Sequence, residues 1–423
     1  MDTVFALSSG SPPAGIAVVR ITGPQAGAAL TALAGVLPPP RRATRARLRD
    51  AGGDLLDHAL VLWFPGPGTV TGEDLAELHL HGGRAVIVAV EQALGRLANL
   101  RRADAGEFTR RAFANGRIDL AEAEGLADLL SAETELQRRA ALEAAGGALS
   151  REVEGWRERL VGLSAVLEAT LDFGDEDEIT LPAQFSKNIR QLEGDIASAL
   201  AAPSAETLRE GFRVALAGPP NAGKSTLFNA LIESEAAIAT PIPGTTRDVL
   251  ERSVAIAGVP FTFVDMAGLR DESGDMVEAI GIGRAREEIG RADLVLWLGA
   301  EGEAPSGAWE IEPQADRPDR TGKTSPRHRV SAVTGEGLGA LRRDLVAVAR
   351  RAMPKPGQAA LNARQRGWLD RAAAALGRAT DEHDPLLLAE HLREARTAFD
   401  RLVGRSATED VLDAVFGRFC IGK

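Results

Sequence analysis

Residues 218–225 read GPPNAGKS and satisfy the phosphate-loop pattern G-x-x-x-x-G-K-[ST] at every required position. The run before them, FRVALA at 212–217, is apolar and follows a glycine, so it predicts a buried parallel strand. The residues after them, 226–232, predict a helix. Strand, glycine loop and helix in this order leave one local architecture. Backbone N–H groups of the loop and the positive end of the helix converge on an anion. Lys224 supplies a point charge to the outer phosphates, and the Ser225 hydroxyl is placed to hold magnesium. A chain built around this segment binds a nucleoside triphosphate.

The rest of the 423 residues leaves room for roughly two to four domains. Residues 1–116 mix short apolar strands (15–21, 58–64, 77–83) with turn clusters and a helix at 85–100, which predicts an α/β domain. From 119 to 172 the spacing turns helical without a proline, with Gly146-Gly147 as an interruption and the acidic stretch 174–178 as its end. A further helix is expected at 183–202. Residues 210–352 alternate strands and helices as a doubly wound nucleotide domain does. Helical spacing returns from 361 to 419. Helices on either side of the nucleotide domain need each other's apolar faces. The expected fold is therefore multidomain, α/β plus all-α. An N-terminal α/β domain (1–116) is followed by a helical domain split into 117–209 and 353–423, with a P-loop domain (210–352) inserted.

A net charge of −11 argues against non-specific coating of nucleic acid and leaves room only for a local basic patch. Five of the 49 basic residues are lysine. The single cysteine, Cys420, excludes an internal disulfide framework and suits a reducing cytoplasm. No apolar run approaches a membrane span, and the N-terminus lacks the pattern of a signal peptide.

Two further motifs follow the phosphate loop. In TPIPGTTRD (240–248) the adjacent Thr245 and Thr246 offer a hydroxyl and a carbonyl to magnesium and the γ-phosphate. VPFTFVDMAG (259–268) is a strand ending in D-x-x-G. Asp265 can hold magnesium through water, and the Gly268 N–H can sense the γ-phosphate. Loops tethered to that phosphate collapse on hydrolysis and make a switch. SAVTGEG (331–337) is similar to the GTPase loop whose Ser-Ala backbone, here Ser331 and Ala332, touches the base. The guanine-reading box N-K-x-D is missing between Trp297 and Ser331. The nearest match, PQAD at 313–316, keeps only Asp316, and Asp319 is a rival.

The chain as a whole resembles the MnmE (TrmE) family of tRNA-modification GTPases. The resemblance is carried by DTVFALSSG, GIAVVRITGP, FPGPGTVTGEDLAELHLHGG, GEFTRRAFANGRIDLAEAEGLADLL, GPPNAGKSTLFNAL, PGTTRD, DMAGLR and the closing FCIGK. It implies potassium-dependent GTP hydrolysis coupled to modification of the wobble uridine of certain tRNAs. The implied partners are the FAD protein MnmG in a heterotetramer, the tRNA, and a second copy of the chain held through the N-terminal domains. The implied one-carbon donor is a tetrahydrofolate derivative, 5-formyl or methylene. Asn221, Thr240, Ile242 through its carbonyl, and Thr245 match the potassium cage, while Ser225 and Thr246 match the magnesium ligands. Ala222, Gly223, Lys224, Thr226, Pro241, Pro243, Gly244, Met266 and Ala267 fall in the GTP-contacting loops. Glu278 matches the glutamate that orients the attacking water. Met266 stands where the family has threonine, a mild departure.

The family's folate contacts fall on Arg20, Glu77, Arg117 and Lys423. A carboxylate such as Glu77 can pair with the amide and amino edge of a pterin, and the anionic glutamate tail suits arginine. His79 and His81 share one strand face, but no third ligand accompanies them, so a structural place or one beside the folate pocket is expected. For Cys420 two readings stand, a thiol at the one-carbon or uridine chemistry, or a half-buried anchor for the tail. Two other function classes compete with the enzyme. One is a GTP-regulated ribosome-assembly or RNA-binding switch, which needs a basic RNA-binding module; none is read outside the nucleotide domain. The other is a noncatalytic folate-binding scaffold, which the retained Lys224, Ser225, Asp265 and Glu278 argue against.

Overall fold

The computed structural model describes residues 2–172, 181–233, 250–266, 287–317, 322–355 and 360–422. The chain divides into two compact units, residues 1–127 with 399–423, and residues 128–398.

The first unit is built on a six-stranded sheet of order β3-β4-β5-β2-β1-β6. Its strands are β1 (Thr3–Leu7), β2 (Ala14–Thr22), β3 (Thr44–Arg49), β4 (Leu55–Phe64), β5 (Leu75–Gly82) and β6 (Leu100–Arg102). All neighbours are antiparallel except β1 and β6. Strand alternation sends Val19, Ile21, Val61, Trp63, Leu78 and Leu80 to one face. There they pack under helices Ala26–Ala34 and Arg84–Gly95, against Leu30, Leu33, Ile87, Val90 and Leu94. The other face carries Val18, Arg20, Leu60, Leu62, Glu77 and His79, partly exposed.

The helix expected at 85–100 stops at Gly95. Its last residues keep helical spacing, but Asn99 turns with a φ of 62° and Leu100–Arg102 pairs with β1 instead.

The end of the chain closes onto this same sheet. Helix Glu409–Phe416 packs on helix Glu107–Ala114, with Phe416 and Phe113 ring centroids 5.9 Å apart. Residues 417–422 then run to the segment after β6, where Ile421 forms an isolated antiparallel bridge with Ala105. The Ser8 hydroxyl donates to the Gly422 carbonyl at 2.8 Å. Gly106 has a φ of 71°, and a Cβ there would sit 2.1 Å from the Phe416 carbonyl oxygen. Gly422 has a φ of 91°, and its Cβ would sit 2.1 Å from the Leu7 carbonyl oxygen. Only glycine permits either approach.

The second unit contains a sheet of order β12-β11-β10-β7-β9-β8. Its strands are β7 (Phe212–Ala217), β8 (Leu250–Ile256), β9 (Val259–Asp265), β10 (Leu294–Trp297), β11 (Trp309–Glu312) and β12 (His328–Arg329). All pairs are parallel except the β8–β9 hairpin. The helical run is broken by Gly146 and Gly147 into Glu135–Ala145 and Ala148–Asp172, with Gly147 at a φ of 75°. Helix Phe185–Leu200 packs on helix Ala363–Asp381, so stretches from both sides of the nucleotide sheet do meet.

The alternation of strand and helix is thinner than the sequence pattern suggests. Among the described residues no helix lies between β10 and β11, or between β11 and β12. Parallel neighbours normally cross over through a helix. Here side chains hold the crossovers: Lys323 donates to the Trp297 carbonyl and pairs with Glu310, and the Glu301 carboxylate accepts the Thr324 and Ser325 N–H groups.

In the first unit Arg111 gathers three carboxylates, Asp2 and Glu107 at 2.8 Å each and Glu73 at 3.2 Å. Burial pushes the Asp2 and Glu107 carboxyls up, but hydrogen bonds from Arg101 and Arg111 outweigh it and hold both below their ordinary 3.8 and 4.5. Their contribution to stability is therefore complete above about pH 5, starts to decline as the pH falls to those ordinary values, and is lost as it falls on through the lower folded ones. Replacing Arg111 by methionine strands half-buried carboxylates. It is expected to cost about 2–3 kcal/mol at neutral pH and to flatten the acid limb of the Tm–pH curve. Thermal unfolding across pH checks both; an unchanged acid limb would refute the assignment.

Candidate functional site

The phosphate loop leaves the end of β7 and enters helix Lys224–Glu233. Gly218 and Gly223 have φ of 149° and 95°. A Cβ on Gly218 would lie 3.0 Å from the Gly299 N, so the loop after β10 presses on it. Asn221 itself has a φ of 58°, the left-handed region that asparagine tolerates better than most side chains. Lys224 is buried, and its Nζ donates to the carbonyls of Gly218 and Pro219 at 3.0 and 2.8 Å. The ammonium is thus held over the loop. Ser225 and Thr226 are exposed at the helix start, while Ala222, Leu227 and Phe228 anchor loop and helix in the core.

Asp265 is the last residue of β9 and stands beside Leu216 in the parallel register, fully buried next to the loop. A buried carboxylate thus stands at the end of the strand beside the one that leads into the phosphate loop. Met266 turns the other way and packs with Ala215, Ala217 and Val295. An apolar side chain there joins the core, which accounts for methionine where the family has threonine.

The base-reading end follows β11. The Ser331 hydroxyl hydrogen-bonds the Asp316 carboxylate, which is the first cause holding that carboxyl below the usual range. Ser331 is buried, and its Oγ also accepts the Thr334 N–H at 3.1 Å. Ala332 is half-buried in the same turn. The segments PQAD and SAVTGEG are also drawn together by the backbone, where the Ala315 N–H donates to the Val330 carbonyl at 3.1 Å. Gln314, which the sequence reading passed over, has a φ of 58° and lies against the phosphate loop. Its Nε2 is 3.3 Å from where a Cβ on Gly223 would be. The signal was available: Gln314 occupies the lysine position of the N-K-x-D box. Asp319 lies outside the described residues, as do Thr240, Pro241, Ile242, Pro243, Gly244, Thr245, Thr246, Ala267, Gly268, Glu278 and Lys423.

In the first unit Arg20 and Glu77 face each other across β2 and β5, Nε to Oε1 at 2.9 Å. His79 Nε2 reaches the other oxygen at 3.2 Å. Burial pushes the Glu77 carboxyl up, yet the hydrogen bonds from Arg20 and His79 prevail and hold it below its ordinary value. His81 pairs instead with Asp57 at 2.7 Å. Each histidine thus has its own carboxylate, and no metal-binding cluster occurs among the described residues.

Arg117 is exposed, and its Cγ lies beside Gly72, 3.3 Å from where a Cβ there would be. The neighbouring Asn115 donates to the Thr71 carbonyl at 2.7 Å. The tail reaches the same sheet: Gly422 is held by Ser8, next to Leu7, whose partner Val19 precedes Arg20. The Cys420 thiol is exposed, which corrects the half-buried-anchor reading. Phe416 and Phe419 are the buried anchors.

Comparison with known proteins matches residues 3–117 to the family model "GTP-binding protein TrmE N-terminus" and residues 120–420 to "MnmE helical domain". A tRNA modification GTPase MnmE of Erythrobacter litoralis is 60% identical over 424 residues, covering all of both chains. That of Novosphingobium aromaticivorans is 62% identical over 435 residues, again covering both completely. The chain belongs to the MnmE family of tRNA modification GTPases. Among solved structures, the G domain of the T. maritima FeoB iron transporter aligns with 32% of this chain and 98% of its own, at 28% identity and a TM-score of 0.24.

Membership of the MnmE family makes the reduced base-reading box testable. GTP is expected to bind better than ATP in competition titrations. Asp316→Ala is expected to weaken GTP roughly 10- to 100-fold while moving ATP less than about threefold, the loss of charge-assisted bonds to one base. Equal losses for both nucleotides would mean that Asp316 supports the loop and does not read guanine.

Proposed function

We propose that this chain is a potassium-activated GTPase that acts with the FAD protein MnmG. Together they add an aminomethyl or carboxymethylaminomethyl group at C5 of the wobble uridine of certain tRNAs. The one-carbon unit comes from 5-formyl- or methylene-tetrahydrofolate. The chain works in the cytoplasm as a homodimer joined through domain 1–116, with domain 210–352 inserted between helical segments 117–209 and 353–423. No helix of the described residues is long and apolar enough to cross a membrane.

The observation that carries this reading is the phosphate loop, with buried Lys224 over it and buried Asp265 beside it. Lys224 draws the outer phosphates into register once its ammonium exchanges the loop carbonyls for phosphate oxygens. Ser225, Thr246 and Asp265 would hold magnesium, and Asn221, Thr240, Thr245 and the Ile242 carbonyl would hold potassium. The potassium would supply positive charge of the kind an arginine finger supplies elsewhere, at roughly 10³–10⁵ in rate. Glu278 orients the attacking water, and Asp316 reads the base. Nucleotide domains of two copies meet in the triphosphate state and part after hydrolysis.

The folate reading is supported by the tail. The Ser8–Gly422 bond holds the tail at the end of β1, the strand that pairs with β2, which carries Arg20. Glu77 offers a charged acceptor to a pterin edge, and Arg20, Arg117 and Lys423 offer cations to the carboxylate tail.

Hydrolysis in potassium against sodium tests the mechanism. Asn221 serves the backbone as well as the ion, so Asn221→Gly separates the two roles: glycine adopts a φ of 58° at no cost. This variant is expected to bind GTP within about threefold of the parent and to lose its potassium stimulation. Retained stimulation would leave Asn221 a backbone role alone. Wobble-uridine analysis of tRNA from cells lacking the gene tests the pathway; unchanged nucleosides would overturn it.

A further inference from the structure

We propose that the outer face of β3 is a docking row for the phosphate backbone of tRNA. Residues 41–49 read RRATRARLR, with five arginines and no carboxylate. β3 is the edge of its sheet, unpaired on its outer side. Alternation sends Leu48 into the core and Arg45, Arg47 and Arg49 to the opposite face, repeating about every 7 Å.

All five arginines are exposed. Arg41 donates to the Gly68 carbonyl at 2.6 Å and lies 5.7 Å over the Phe64 ring, and Arg49 donates to the Gly53 carbonyl at 2.6 Å. These bonds fix the ends of the row. Among the described residues none of the five has a carboxylate partner, whereas Arg101, Arg111 and Arg213 are each tied to acids.

The chemistry selects an RNA backbone. A chain of net charge −11 repels a polyanion as a whole, so RNA can approach only where arginine is concentrated. A guanidinium fork matches a phosphate bidentately, and exposed His58, opposite Arg47, adds a further donor. The row also lies where tRNA is wanted. Arg45 stands opposite Leu60, and Leu60 opposite His79, which bonds Glu77. Two strand spacings, about 10 Å, thus separate the row from the Arg20–Glu77–His79 cluster. RNA lying along β3 passes beside that cluster. Five exposed arginines thus form a basic patch outside the nucleotide domain, where the sequence pattern alone offered none. The proposal rests on the family's tRNA modification role.

The test uses the full chain and an unmodified tRNA transcript, with affinity measured against salt. Removing Arg42, Arg45 and Arg47 together by alanine is expected to weaken binding roughly 10- to 100-fold at low salt. It should also lower the log–log salt slope by about two to three. Arg45→Lys with Arg47→Lys should keep most of the slope. GTP hydrolysis without tRNA should not change, because the phosphate loop belongs to the other unit.

A triple variant with unchanged melting temperature, affinity and slope overturns the surface. So does an unsubstituted chain whose tRNA binding shows no salt dependence. Loss confined to binding of phosphatidylserine vesicles overturns it in favour of a membrane. Complementation separates the two claims. A triple variant that restores wobble-uridine modification as well as the parent argues against the row, whereas failure of the parent itself strikes the proposed function.

Discussion

Closure of both chain ends onto one sheet is the constraint on which the rest depends. Ile421 bridges Ala105, Gly422 receives the Ser8 hydroxyl, and two glycines permit backbone contacts that a Cβ would forbid. Once the ends are fixed in one unit, everything from 128 to 398 is an insertion. Such an insertion is thermodynamically tolerable because loop-closure entropy grows only with the logarithm of length. The closure also has a chemical consequence. Residues at opposite ends of the sequence, Arg20 and the 420–422 segment, come to one sheet only when the chain is folded.

In the nucleotide unit the special backbone lies in the phosphate loop. Gly218, Asn221 and Gly223 all have positive φ, and the loop is held in that shape by buried Lys224 over it and Gln314 beside it. The sheet around it is economical. Crossovers from β10 to β12 are secured by ion pairs and backbone caps in place of helices. The base-reading end sits within these crossovers. Asp316 depends on Ser331 for its orientation, and Ser331 depends on the turn through Thr334.

What was legible in the sequence was local. The phosphate loop, its strand and its helix are contiguous, so FRVALA and the residues after Ser225 could be read from pattern alone. Arg20 opposite Glu77 needed the family resemblance, because register between β2 and β5 is set by packing of residues far apart in sequence. The helix after Gly83 was overrun because Leu97 and Leu100 fit its spacing, and only pairing with β1 decides where Leu100 goes. The exposed Cys420 was unreadable for the same reason, since its burial depends on where Phe416 and Phe419 lodge. The arginines of β3 were visible as letters, but the acidic total masked them, and their shared face appears only once the segment is a strand.

Arginine does two different kinds of work in the first unit, and burial separates them. Arg111 is half-buried among Asp2, Glu73 and Glu107, where removing one partner strands the others. Its fork joins the N-terminus, the loop before β5 and helix Glu107–Ala114 through several N–H groups at once, a geometry that an ammonium cannot reproduce. Arg42, Arg45 and Arg47 are exposed, and no carboxylate of the described residues neutralises them. Each carries its charge into solvent, so the row is a local positive patch on a chain of net charge −11. A paired arginine explains itself through the fold. An unpaired row on an edge strand, two strands from the Glu77 cluster, is explained by what approaches it from outside.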